Sequence, residues 1–343
     1  MSATPDVGTY ARQLARWHVA EFVFWVAALA CAFLFPSRYL IMTDIVRLGL
    51  FAMSLDLILG YAGIVSLGHA AFFGVGAYCA GLLALHGIIT EPLIALVAAG
   101  LAAMLLGFLT SFLVIRGADL TRLMVTLGIA LLLEALAERY SDITGGTDGL
   151  QGIEMQPILR LFAFDIFGKT GFFYSLAVTF LLFLLARRIV HSSFGLSLRA
   201  IRNNPLRAAA TGIPVNTRLV AIYTLAAFYA GIAGALFTQT TALASLDVFA
   251  FERSADLMLV LVIGGAGYLY GGLIGAVVFR MLQEGFSTIT PQYWQFWIGA
   301  VLVAIVLVGR GRLHRWVLWL PNLVITRFAG RRAAVAIPES EAS

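Results

Sequence analysis

The stretch from Pro92 to Val114 carries no charged residue, and runs of similar character recur along the whole chain. About 20 apolar residues of helix cross the roughly 30 Å hydrocarbon layer of a bilayer. Lipid offers no partner to a backbone amide or carbonyl, so a lone crossing segment must be helical. Charged residues make up only 12% of the 343 and hydrophobic ones 61%. A soluble domain has about 25% charged residues, so this chain lacks the polar exterior that a soluble globule of its size needs. Cys31 and Cys79 both fall in apolar runs without metal or redox spacing and read as small buried hydrophobes.

The pattern predicts an all-α polytopic membrane protein with about ten transmembrane segments, some short or broken. They cover 20–35, 41–59, 66–85, 92–114, 123–140, 171–186, 219–237, 255–265, 269–282 and 293–308, the eighth and ninth being short for full crossings. Arg12, Arg16 and His18 precede the first run without a cleavage pattern, so that run reads as a retained helix. With the N-terminus inside, the inner segments hold 16 of the 23 basic residues against four acidic ones. Basic loops stay cytoplasmic, which predicts an N-in, C-in protein of the inner (plasma) membrane. The expected division is a cytoplasmic tail over 1–18 and a transmembrane domain over 19–310, with an outer loop at 141–169 and a cytoplasmic loop at 187–218. Residues 311–343 complete it: Trp316 and Trp319 among arginines read as an interfacial segment before a tail. The net charge of +5 is a topological signal rather than a nucleic-acid one.

The most unusual stretch runs from Gly60 to Tyr78, where Gly60, Gly63, Gly68, Gly74 and Gly76 crowd together around Ser66 and His69. Such residues suit a tight helix seam or a helix break lining a cavity, since a break in lipid needs protein or water to satisfy its backbone. His69 is either a pathway residue or a hydrogen-bonded strut. Asp56 and Glu134 are ionisable groups at membrane depth, where such groups face protein or water; either touches a substrate or pairs with polar neighbours. In the outer loop, Thr144, Gly145, Gly146, Asp148 and Gly149 suit a rigid turn that either bonds a partner or simply ends a helix.

The inner loop is the second informative piece. Arg199 and Arg202 share a helical face with Leu198 and Ile201 alongside, Pro205 can open a second short helix over Leu206 to Ala210, with Arg207 on it, and Gly212 can end it. Two short helices suit a groove on a soluble partner; the alternative is a positive-inside cluster against lipid headgroups. Neither Gly168-Lys169-Thr170 nor the glycine-rich 264–272 stretch has the spacing of a phosphate-binding loop. No nucleophile, base and carboxylate arrangement points to an enzyme, and no metal or nucleic-acid site is expected.

Taken in order, Gly60–Tyr78, Ile115-Arg116-Gly117, Thr144–Gly149, Phe194-Gly195 with Leu198–Arg202, Ala208–Ile213, Tyr229–Leu236 and 264–275 resemble one family. They are similar to the permease subunits of ABC importers for branched-chain amino acids, specifically the M partner of the two homologous permeases. The resemblance spans roughly 40–310. It implies a homologous second permease, two ATPase subunits that hold ATP and Mg, a periplasmic or lipid-anchored substrate-binding protein, and no cofactor on this chain. It also implies that the segment Arg199–Gly212 is the coupling loop that docks on an ATPase. Relatives commonly carry asparagine where this chain has Asp56, and a tyrosine-phenylalanine-like run where this one reads Ala118–Met124. His69-Ala70-Ala71 leans toward amino acids rather than the urea branch. The competing readings are an ABC permease for urea, short amides or aromatic carboxylates, and an ion-coupled secondary carrier.

Overall fold

A computed structural model describes residues 19–117, 119–165 and 167–308. The expected tails at 1–18 and 311–343, with Arg12, Arg16, His18, Trp316 and Trp319, lie outside the described residues. The described chain is made of helices joined by loops, with isolated bridges in place of any sheet among the described residues. Its helices are α1 Val19–Leu34, α2 Tyr39–Ala62, α3 Ala70–Leu85, α4 Pro92–Val114, α5 Asp119–Arg139, α6 Lys169–Val190, α7 Ser193–Asn203, α8 Pro205–Ala210, α9 Val215–Thr241, α10 Phe251–Gly264, α11 Leu269–Ile289 and α12 Trp294–Val308. Five helical segments are long and apolar enough to cross a membrane: α2 with the turn before it, α4, α5, α6 and α9. α10 and α11 pass that test together as a sixth, bent by 109° at the break between them. α1, α3 and α12 are shorter apolar helices. Thus the protein is an all-α, multi-pass membrane protein.

Two compact units divide between Met281 and Leu282. In the first, α9 is the central post, packed against α4, α3 and α2. Small residues let these helices approach closely, as membrane interfaces favour. A Cβ added to Gly76 would fall on the backbone of Gly231, and one added to Gly234 on the carbonyl of Phe73. Side chains then bridge the seam: Thr238 Oγ1 donates to the Ala77 carbonyl (3.0 Å), Gln239 Nε2 to Pro92 (2.8 Å) and the Tyr229 hydroxyl to Leu182 (2.9 Å). Such bonds average about 0.6 kcal/mol each in membrane proteins. Three of them add only about 2 kcal/mol, so close packing of the small-residue seam dominates. In the second unit, the Phe286 and Trp297 rings stack with centroids 6.2 Å apart.

Local signals set the boundaries. Glu91 caps α4 by accepting from the Ile94 amide, and Pro92 opens it. Asp165 accepts from the amides of Lys169 and Thr170 at the start of α6. Partial desolvation pushes its carboxyl up, but the backbone donors outweigh that and hold it below its usual range. The predicted third crossing, 66–85, is corrected: the helix starts only at Ala70, after α2 has ended at Gly63 in the left-handed conformation (φ 75°) and residues 63–69 run without helix. The predicted short ninth segment, 269–282, is also longer, continuing to Ile289.

Candidate functional site

Two interrupted helices meet along α2. The first is the break between α2 and α3, where residues 63–69 run without helical structure before α3 begins. The second is the break between α10 and α11. Irregular backbone inside a membrane protein persists only where protein or water satisfies it, and side chains do so here. Leu67 N donates to Thr126 Oγ1 on α5 (3.2 Å), and Ala70 N donates to Ser254 Oγ on α10 (3.0 Å). A Cβ on Gly68 would land on the Thr126 carbonyl, so the link lies directly against α5.

His69 and Ser66 are both fully buried at this break. His69 Nε2 lies 2.9 Å from Ser54 Oγ, and its ring stacks on Phe51 and meets Phe72 edge-on. Through these contacts the imidazole ties α2 to the start of α3. Ser66 Oγ and His69 Nδ1 have no hydrogen-bond partner among the described residues. Gly74 faces the Phe249 ring of the segment leading into α10.

One end of α2 forms a second meeting point. Asp56, fully buried, accepts from the Gly267 amide in the α10–α11 break at 2.6 Å. Gly267 has φ 91°, a conformation that favours glycine. A Cβ on Gly60 would overlap both the Asp56 carboxylate and the Gly267 amide. From the loop helices, Arg202 Nη1 donates to the Gly60 carbonyl and Arg199 lies over the Tyr61 ring at 5.4 Å. α7 is therefore rooted on the end of α2, while Asp56 ties the same end to the second break. The Arg202 guanidinium thus has a partner within this chain.

α7 and α8 form where the inner loop predicted them. Ser192 caps α7 by accepting from Phe194 N, and Asn204 Oδ1 caps α8 by accepting from Arg207 N at 2.9 Å. Pro205 opens α8, and Gly212 follows it at φ 84°. Arg207 and Leu206 are exposed on α8, the leucine at 83%. Leu206 was not a sequence candidate. The signal available was an apolar residue in the first turn of a proline-started helix within a basic loop.

The predicted outer turn is compact and bonds to its own chain. Thr144 Oγ1 donates to the Ala137 carbonyl (2.5 Å), Gly145 and Gly146 take positive φ, and Leu150 pairs with Ala244 through two backbone bonds just after Gly149. Asp148 is exposed. Glu134, half-buried on α5, has Glu138, Asp247 and Glu252 as charged neighbours rather than Asp56 or His69. A further charged group, unrecognised from sequence, comprises Asp44 and Arg47 on α2, Arg253 on α10 and Arg280 on α11. Its signal was the opposite-charge pair three residues apart inside the second apolar run. Among the described residues no cluster of three or more His, Cys, Asp or Glu is arranged to hold a metal.

Interrupted helices meeting inside a multi-pass bundle, with loop helices rooted on them, define a membrane transport protein class. Residues 38–306 match the family model described as the branched-chain amino acid transport system / permease component, and the chain belongs to that family. The high-affinity branched-chain amino acid transport system permease protein LivM of Escherichia coli (strain K12) is 26% identical over 279 residues, 74% of this chain and 64% of the relative. LivM of Salmonella typhimurium is 27% identical over 281 residues, with the same shares. The chain thus spans 64% of the length of these two curated relatives. The autoinducer 2 import system permease protein LsrD of Escherichia coli (strain K12) is 28% identical over 285 residues, 80% of this chain and 83% of the relative. No solved structure matches the chain.

Proposed function

We propose that this chain is one of two homologous permeases of an ATP-driven importer and passes a branched-chain or related hydrophobic amino acid delivered by an external binding protein. The observation that carries the reading is the rooted loop: α8 offers exposed Leu206 and Arg207, while α7 is fixed to the end of α2 through Arg202 and Arg199. An ATPase closing on α8 would move α7, and Arg202 would pass that motion to Gly60. Asp56 would carry it on to the α10–α11 break. Gly60, Gly63, Gly68 and Gly74 with Ser66 and His69 then form the packed hinge region that the motion works on. ATP and Mg stay on the separate ATPase chains.

A second reading keeps the permease role but replaces the amino acid with another small polar solute. It is favoured by the LsrD match, which covers more of both chains than the LivM matches do. Uptake of radiolabelled leucine and of urea by cells with and without this chain separates the two. Leucine uptake that is lost on deletion supports the first reading, and unchanged leucine uptake sinks it.

The proposed topology has ten crossings with both termini in the cytoplasm. In a background lacking Cys31 and Cys79, a Thr147→Cys variant is expected to react with a membrane-impermeant thiol reagent in intact cells, and an Asn203→Cys variant is not. The reverse pattern would invert the map.

The Asp56 link has its own test. Asp56→Asn keeps an oxygen acceptor for the Gly267 amide, whereas Asp56→Leu strands that buried donor, at about 1–3 kcal/mol. Uptake within about 3-fold of normal is expected for the asparagine variant and a loss of at least ten-fold for the leucine one, at matched membrane abundance. Equal uptake by both would remove Asp56 from the pathway of motion.

A further inference from the structure

The loop between α5 and α6 ends in an exposed apolar hairpin that the coupling path does not use. Ile158 and Phe162 close it: the Ile158 amide donates to the Phe162 carbonyl (2.8 Å), and the Phe162 amide donates back to the Ile158 carbonyl (3.2 Å). Leu159 and Arg160 stand at its turn with φ 53° and 59°, a left-handed region that residues other than glycine, asparagine and aspartate seldom adopt. Hairpin turns of positive φ ordinarily carry Asn-Gly or Asp-Gly. Here a leucine and an arginine occupy the turn against that backbone preference, and strain of this kind gathers where a segment has a task beyond folding. Four large apolar side chains stand exposed along the segment: Leu159 at 60%, Leu161 at 76%, Phe162 at 60% and Phe167 at 80%.

Two ties fix the level of this hairpin against the helices that cross the bilayer. At one end the Leu159 amide donates to Glu91 Oε1 (3.3 Å), while Oε2 of the same carboxylate caps α4. At the other end Asp165 accepts from the first amides of α6, and the Phe164 ring meets Tyr174 edge-on, 6.1 Å between centroids. α4 is free of charge from Pro92 to Val114 and long enough to cross, so hydrocarbon begins close to its first turn. The hairpin tip, bonded to the residue just before that turn, therefore sits at the boundary between hydrocarbon and water. Charge is arranged to match. From Ser141 to Gly168 the loop carries four carboxylates, Asp142, Asp148, Glu154 and Asp165, and a single cation, Arg160. The carboxylates are all kept off the tip, and the exposed arginine stands between Leu159 and Leu161. Apolar side chains for the acyl boundary with a guanidinium among them for phosphate are what an anionic lipid surface receives.

We propose that the Ile158–Phe162 hairpin is a lipid-binding element. Leu159, Leu161 and Phe162 enter the boundary between headgroups and acyl chains on their side of the bilayer, and Arg160 binds lipid phosphate there, most strongly in an anionic leaflet. Through Glu91 the element is joined to the start of α4, which packs against the central post α9. The inference needs the membrane-spanning fold alone and is independent of the substrate.

The test uses the full chain in lipid nanodiscs, in a Cys31→Ala, Cys79→Ala background. A nitroxide label is attached at Leu161→Cys, at Gln151→Cys in the same loop as the water-facing control, and at Leu105→Cys on α4 as the apolar control; all three positions are exposed on the chain, so no label enters the core. Collision of the label with a water-soluble nickel chelate and with oxygen is read by power saturation. Nickel collision at Leu161 is expected at least five-fold below that at Gln151, with oxygen collision raised toward the value at Leu105. Nickel collision equal to that at Gln151 would leave the hairpin in water, as a surface for a soluble protein, and overturn the proposal. A second comparison sets discs of phosphatidylcholine alone against discs that also contain phosphatidylglycerol. The anionic lipid is expected to lower nickel collision at Leu161 at least two-fold further, and Arg160→Glu to abolish that difference while helix content stays unchanged. A value indifferent to the anionic lipid, or a difference that survives Arg160→Glu, would overturn the phosphate contact assigned to Arg160.

Discussion

A Gly68→Leu variant is expected to lose uptake by well over ten-fold and to fall in membrane abundance. The added side chain begins on the Thr126 carbonyl of α5, a backbone atom that cannot swing aside. Overpacking a core with a movable neighbour costs about 1–3 kcal/mol, and a fixed neighbour places this change at or above the top of that range. Separating the helices would also pull Leu67 N from Thr126 Oγ1 and unsettle the link that carries His69. Gly128→Ala, two residues further along α5 and with nothing within 4 Å of the new carbon, serves as the control and is expected to be neutral. Normal uptake at normal abundance for Gly68→Leu would place the stretch against lipid and dissolve the packed hinge.

The second large effect is expected at Leu206. Burying a leucine in a partner's groove contributes about 1.5–3 kcal/mol, so Leu206→Asp should weaken retention of the ATPase subunits by at least ten-fold in a pull-down. Binding-protein-stimulated ATP hydrolysis in proteoliposomes should vanish with it, and Leu206→Met should preserve both. Arg202→Glu separates docking from transmission. It destroys the bond to Gly60 without touching exposed α8, so the ATPases should stay bound while stimulation is lost. Retention and stimulation both unchanged in Leu206→Asp would return the loop to a cluster of arginines facing lipid headgroups.

The helical, membrane-spanning character was legible because lipid forces periodic apolar runs into one structure, and α4 and α12 fall within a residue of their expected limits. The two loop helices were equally readable, since a proline and a glycine act locally. What sequence could not supply was which distant residues meet. The glycine-rich run suggested a seam or a break but not where the break ends at Ala70, because its support comes from Thr126 and Ser254. Arg202 looked available to a partner because its acceptor, the Gly60 carbonyl, is a backbone atom with no sequence signature. Asp44 and Arg280 were invisible as a pair for the same reason: they lie 236 residues apart.

The bond from the Ala70 amide to Ser254 spans 184 residues, and that distance has a consequence for biogenesis. Ribosomes deliver about 5–20 residues per second, so roughly 10–40 s pass between the appearance of α3 and that of its supporting serine. During that interval the start of α3 cannot be satisfied by its native partner, and Asp56 waits longer still for Gly267. Before α10 arrives, water or another polar group is needed to satisfy those two positions. Until α10 is made, the Ala70 amide and the Asp56 carboxylate lack these two partners, whatever packing α9 has already supplied.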